Sequence, residues 1–155
     1  MLFRSDEQAQ IAIEPGEHRG LDPDIGGRGL RAHAATQNLL AREIELAGYA
    51  PRQPRPDEPQ YDLAWHDGAV TWVAEVKSLT TSNEERQLRL ALGQVMRYRQ
   101  LLTDREGVVR AAIAVEREPK DPTWKRLCDE ARITLLWPGH MEVSRMSEGI
   151  ALGRT

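Results

Sequence analysis

One cysteine, Cys128, in 155 residues excludes a disulfide framework and a multi-cysteine zinc site. It falls in a helical pattern, where a lone cysteine reads as a small buried apolar side chain. No apolar run approaches the roughly 20 residues that span a bilayer. Residues 1–17, MLFRSDEQAQIAIEPGE, lack the basic start and long apolar core of a signal peptide. A cytoplasmic location with no membrane attachment is the expectation. There is no excess positive charge for coating nucleic acid: the net charge is −3, although a local basic surface stays open. Lysine is scarce too, with Lys77, Lys120 and Lys125 set against eighteen arginines. What is present, 40% hydrophobic and 29% charged residues, fits one soluble domain able to bury a core.

No internal repeat divides the chain. Residues 1–27 carry a short Ile11/Ile13 alternation and then the turn-rich EPGEHRGLDPDIGG, which reads as an N-terminal arm. The domain is expected over residues 28–139, with a polar C-terminal tail over 140–155. A helical period runs from about Gly29 to Ala47, with Gly48 as its C-terminal stop. Four prolines in residues 51–59 mark an extended connector. Residues 61–77 read as a hairpin turning at His66-Asp67-Gly68. Ser82 and Glu85 form a capping-box pattern opening a helix to about Thr103. Residues 108–116 read as a buried strand. Asp121-Pro122 starts a helix to about Arg132, and residues 133–138 make a last strand. The order predicts an α/β or α+β fold with a mixed central sheet flanked by helices.

The hairpin holds the chemistry. With Asp62 opposite Glu75, Leu63 faces Ala74, Ala64 faces Val73 and Trp65 faces Trp72. Tyr61, Leu63, Trp65, Trp72, Ala74 and Val76 then share an apolar face, and Asp62, His66, Thr71, Glu75 and Lys77 share the other. Two carboxylates on neighbouring strands supply the hard oxygen ligands that Mg²⁺ or Mn²⁺ prefers, and Lys77 can orient a water or stabilise negative charge. The plain alternative is a Glu-Lys pair on a solvated sheet face.

Both long helices carry polar residues on an apolar stripe. In the first, His33 and Gln37 fall among Leu30, Ala34, Leu40, Ala41 and Ile44, with Glu43 and Glu45 at the edges. A buried polar group needs a partner. His33 is a candidate metal ligand and Gln37 a candidate for holding water or phosphate; a histidine satisfied by a backbone carbonyl is the alternative. In the second, Gln87, Gln94 and Tyr98 fall among Leu88, Ala91, Val95, Leu101 and Leu102. Arg86, Arg89 and Arg97 line an adjoining flank, either meeting phosphates or simply solvated.

Asp62, then Glu75-Val76-Lys77, then Gln94-Val-Met-Arg-Tyr98 resembles the PD-(D/E)xK nuclease superfamily. The Gln-x-x-x-Tyr element and Gly29-Leu-Arg-Ala-His33 resemble its RecB-like branch, whereas Gln37 stands where Mrr-like restriction endonucleases often carry an acid. The likeness spans about residues 29–137. It implies a restriction endonuclease-like core in which Asp62, Glu75 and the Val76 carbonyl bind Mg²⁺ or Mn²⁺. It also implies that His33 completes the metal shell, that Lys77 assists the attacking water, and that Gln94 and Tyr98 position water or substrate. The chain departs from the pattern in placing tyrosine before Asp62. A literal Pro56-Asp57 lies in the connector, where no strand pairing fixes its geometry, so Asp62 is preferred.

The resulting expectation is a metal-dependent nuclease hydrolysing phosphodiester bonds in DNA. The alternatives are a noncatalytic nuclease-fold module binding nucleic acid or a partner protein, and a subunit of a larger defence or repair complex. Nothing in the sequence reads a 2′-hydroxyl, so RNA stays open as substrate. Symmetric duplex cleavage by a one-site domain needs two copies, which leaves a homodimer open as well.

Overall fold

Residues 27–146 are described by the computed structural model; the expected arm over 1–27, apart from Gly27, and the end of the tail, 147–155, lie outside them. Seven elements follow in order: α1 (Arg28–Leu46), β1 (Leu63–His66), β2 (Thr71–Lys77), α2 (Glu84–Glu106), β3 (Val109–Val115), α3 (Thr123–Glu130) and β4 (Ile133–Leu136). The sheet order is β1-β2-β3-β4, with β1 antiparallel to β2 and the other neighbours parallel. This is a mixed four-stranded sheet flanked by helices, as the element order predicts.

Side-chain alternation sorts the core into two layers. Leu63, Trp65, Trp72, Ala74 and Val76 bury against Leu40, Ala41 and Ile44 of α1. Ala64, Val73, Ile113 and Val115 bury against Leu88, Ala91 and Val95 of α2 and Trp124 and Cys128 of α3. β3, central and covered on both sides, is buried at every position but Arg110, as a strand between two helical layers must be.

The hairpin register is the expected one, with Leu63 on Ala74, Ala64 on Val73 and Trp65 on Trp72. The two facing indoles stack at 5.8 Å and 7°, worth about 1 kcal/mol beyond their burial. In the turn, Asp67 Oδ1 accepts the amides of Ala69 and Val70 while Gly68 takes φ 91°, an Asx turn that ties the strands together. α1 ends as expected, because Gly48 at φ 89° lets its own amide reach Glu45 and that of Tyr49 reach Ile44.

Several expectations are corrected. Tyr61 belongs to the α2 layer, not to the Leu63 face, because it precedes the strand and its phenol turns to Glu58. The Ser82–Glu85 capping box does not form. Asn83 is the N-cap residue of α2 and its Oδ1 accepts the Thr80 amide at 2.6 Å, while Glu85 receives the Trp124 indole N–H. Leu101 is 39% exposed, since one residue turns it 100° away from buried Leu102. α3 stops at Glu130. Within the expected tail, Met141 and Val143 are buried in the α1 layer.

The proline-rich connector does more than span a gap. Arg52 exchanges two backbone hydrogen bonds with Ala64 on the outer edge of β1, at 2.8 and 2.9 Å. Beside it Glu58, with 1% of its side chain exposed, accepts from Arg52 (2.7 Å), Tyr61 (2.6 Å) and the Arg55 amide (3.0 Å). Burial alone would raise this carboxyl. The hydrogen bonds from Arg52, Arg55 and Tyr61 outweigh it and hold the group at about 2. A depressed carboxyl stabilises the fold above the ordinary value of 4.5, and that contribution is lost as pH falls through 4.5 toward about 2. Acid titration followed by circular dichroism should show Glu58→Gln losing about 1–2 kcal/mol of stability at pH 7 and little near pH 2. An equal loss at both pH values would assign the effect to packing instead.

Candidate active site

The site forms where β2 leaves the sheet. Glu75 shares the α2-facing side with Val73, so α2 covers it and leaves it 4% exposed. The Lys77 ammonium lies 2.8 Å from Glu75 Oε1. Asp62, just before β1, is pinned to the same strand: its amide donates to the Ala74 carbonyl at 3.2 Å and its Oδ2 accepts the Val76 amide at 2.7 Å. Val76 thus enters through its backbone, with its side chain buried in the opposite layer.

α1 adds two polar side chains from the other layer. His33 Nε2 lies 3.3 Å from Asp62 Oδ2. Gln37, only 3% exposed, donates from Nε2 to the Asp62 carbonyl at 2.9 Å. Because that carbonyl only accepts, the Gln37 amide orientation is chemically determined, and its buried Oε1 has no hydrogen-bond partner. From α2, Gln94 Nε2 approaches the Tyr98 hydroxyl at 3.4 Å, and Gln94 Oε1 is likewise buried without a partner. Gln87 has a purely structural contact, with the Ser78 carbonyl.

Electrostatics tie these groups together. Burial, then the neighbouring Asp62 charge, push the Glu75 carboxyl up to about 7 against the opposing pull of Lys77. Burial and the Glu75 charge push the Tyr98 phenol up to about 12. The second Glu75 oxygen, Oε2, is buried with no hydrogen-bond partner. Glu75 Oε2, Gln37 Oε1 and Gln94 Oε1 are all acceptors, and buried acceptors left over call for a water or a cation.

The site residues expected from the sequence divide clearly. Asp62, Glu75, Lys77, His33 and Gln37 are brought together, with Tyr98 and Gln94 alongside. Arg86 and Arg97 are not: both are exposed, and Arg97 bonds to Gln100 on its own helix. Helix phase explains this, since both sit well round the cylinder from buried Ala91 and Val95. Asp57 stays away as well, held by Arg105 near the far end of α2. The plain alternative of a solvated Glu-Lys pair is corrected, because Glu75 is buried.

One contributor had no signal in the sequence. Glu116, just past β3, accepts the Leu79 amide at 2.6 Å and Arg28 at 2.7 Å, anchoring the chain where it leaves Lys77.

A hard cation suits this donor set in part. Two acidic groups that repel each other, one with a spare buried oxygen, match the one or two carboxylates by which Mg²⁺ is usually held. Among the described residues no group of three or more His, Cys, Asp or Glu side chains is placed to hold a metal. His33 therefore stands here as a neighbour of Asp62 and not as a third member of such a group. No helix among the described residues is long and apolar enough to cross a membrane.

No protein-family model and no curated protein matches the chain. Among solved structures, the crystal structure of a protein of unknown function, AF1548, is similar to it with a TM-score of 0.47 and 14% identity. That likeness covers 81% of this chain and 70% of the other.

Proposed function

We propose that the chain is a Mg²⁺- or Mn²⁺-dependent nuclease that hydrolyses phosphodiester bonds in DNA, built on a restriction endonuclease-like core. The observation that carries this reading is the convergence of Asp62 and buried Glu75 beside one ammonium, Lys77. Charge concentrated in a dry place is costly unless it is used. Asp62, Glu75 and the Val76 carbonyl would hold the cation, which supplies charge neutralisation at phosphate and a more acidic water. His33 holds the Asp62 carboxylate in place through its ring nitrogen. Lys77 orients the attacking water and offsets negative charge developing on the phosphate. Gln94 and Tyr98 direct an amide and a phenol toward the same spot, and Gln37 steadies the Asp62 backbone. The assay is cleavage of duplex, single-stranded, nicked and modified DNA, with RNA as a parallel substrate. Wild type with Mg²⁺ or Mn²⁺ should cut DNA, chelator should stop it, and Asp62→Asn should reduce it at least ~100-fold. No cutting of any substrate by wild type would contradict the proposal.

A specific observation favours a second reading, a noncatalytic module binding nucleic acid or a partner protein. Asp62 already has His33 and the Val76 amide, and Glu75 already has Lys77. Titration with Mn²⁺ separates the two: no metal binding together with retained DNA affinity selects the module.

A further inference from the structure

The outer face of α2 carries a second feature. Three of the six exposed large apolar side chains among the described residues belong to this one helix: Leu90, 50% exposed, Met96, 45% exposed, and Leu101. At 100° per residue, Gly93 stands on the exposed surface opposite the buried stripe of Leu88, Ala91, Val95 and Leu102. Leu90 and Met96 flank it, three residues to either side. Exposed apolar residues scattered singly are ordinary, whereas a cluster centred on a glycine marks a contact surface.

Nothing in the fold requires that glycine. It lies inside a 23-residue helix, where only proline is a poorer choice. A Cβ at this position would meet no atom within 4 Å, so no neighbour in this chain needs its absence. What the missing side chain offers is close approach from outside, because the side chains at a contact set how near two helices come.

The charges on this face identify what approaches. Arg89 pairs with Glu85 at 3.6 Å, and Arg97 donates to Gln100 at 2.6 Å. The side chains of Arg86 and Asp104 have no partner among the described residues. They lie on one line along the helix, about five turns apart, with Gly93 between them. A polyanion laid along this face would meet the Asp104 carboxylate at one end. A parallel copy of the helix would set Arg86 against Arg86. An antiparallel copy, related by a two-fold axis at Gly93, brings Arg86 near Asp104 of the second copy, and does so twice. It also brings Leu90 level with Met96 of the second copy.

We infer that this face of α2 is the contact of a homodimer, in which two copies cross nearly antiparallel at Gly93. The inference does not rest on the hydrolytic reading. Gln94 and Tyr98 fall between the contact face and the buried stripe. The carboxylate site therefore stays clear of the contact and opens to the same side of the dimer in both copies. A single helix crossing is a small interface, of the class that gives transient association.

The test is sedimentation equilibrium of the full chain in metal-free buffer, from about 5 to about 500 µM, the range of transient complexes. Wild type should pass from monomer to dimer within it. Gly93→Gln should stay monomeric throughout. At the lowest concentration it should melt ~3 °C above wild type, because glutamine is the better helix former. Arg86→Asp should weaken the dimer at least about tenfold. Arg86→Asp/Asp104→Arg should restore it, a rescue open only between copies, since the two positions are about 27 Å apart along one helix. A wild type that is monomeric at the highest concentration, a dimer left intact by Gly93→Gln, or no rescue by the charge swap would overturn the inference. A monomer whose affinity for duplex DNA falls in Gly93→Gln would overturn it too, and assign the face to nucleic acid.

Discussion

Glu75→Gln is expected to melt about 2–6 °C above wild type in metal-free buffer near pH 8 and to cleave no DNA. The amide keeps the shape of the side chain and removes a charge that is 4% exposed and faces Asp62. Lys77 opposes this, because it loses its ion-pair partner. The raised carboxyl shows which effect wins: burial and Asp62 together outweigh the ammonium. The net gain should be about 1–2 kcal/mol. A functional group maintained at a cost to the fold is the usual exchange at an active site. If Glu75→Gln melts lower than wild type, the pair is an ordinary stabilising salt bridge.

Lys77→Ala should have the largest effect on stability and a large one on cleavage. Removing the ammonium leaves the buried Glu75 carboxylate facing the part-buried Asp62, a loss of about 3 kcal/mol at pH 8. Cleavage should fall at least ~100-fold, the usual consequence of deleting one preorganised charge. The sign of the pH dependence follows from the raised Glu75 carboxyl. Without the downward pull of Lys77 the carboxyl stands higher still than in the wild type; the folded state binds the proton more tightly than the unfolded one, so stability is regained as pH falls through that raised value. The double variant Lys77→Ala/Glu75→Gln should recover most of the stability and none of the cleavage. Thermal melts and a cleavage assay on the four proteins of this cycle separate structural from chemical roles. Recovery of cleavage in the double variant would rule out Lys77 as a chemical participant.

The elements and the hairpin register were legible because local signals agree there. Alternation from Leu63 to Trp65 and from Trp72 to Val76, with Asp67-Gly68 between, admits little but the observed pairing. Asp62, Glu75 and Lys77 follow from that register, since a strand has a period of two. What a helix covers was not legible. The strand alone leaves open whether Glu75 is solvated or covered; it is buried because α2 returns over that face. Glu58 likewise reads as a polar residue in a proline-rich segment, and only the approach of Arg52 and Tyr61 makes its burial tolerable. Met141 and Val143 carry no period to announce them. Asn83, not Ser82, takes the N-cap position, and its side-chain oxygen accepts the Thr80 amide, a contact between neighbours that the Ser-x-x-Glu pattern does not weigh.

The most direct test is the position of a soaked Mn²⁺ ion, read from its anomalous signal in crystals of the wild-type protein. The expected peak lies between the Asp62 and Glu75 carboxylates, near the Val76 carbonyl, and disappears in Asp62→Asn. Crystals that take up Mn²⁺ elsewhere, or leave the space between those two side chains without a peak at saturating metal, would contradict the account.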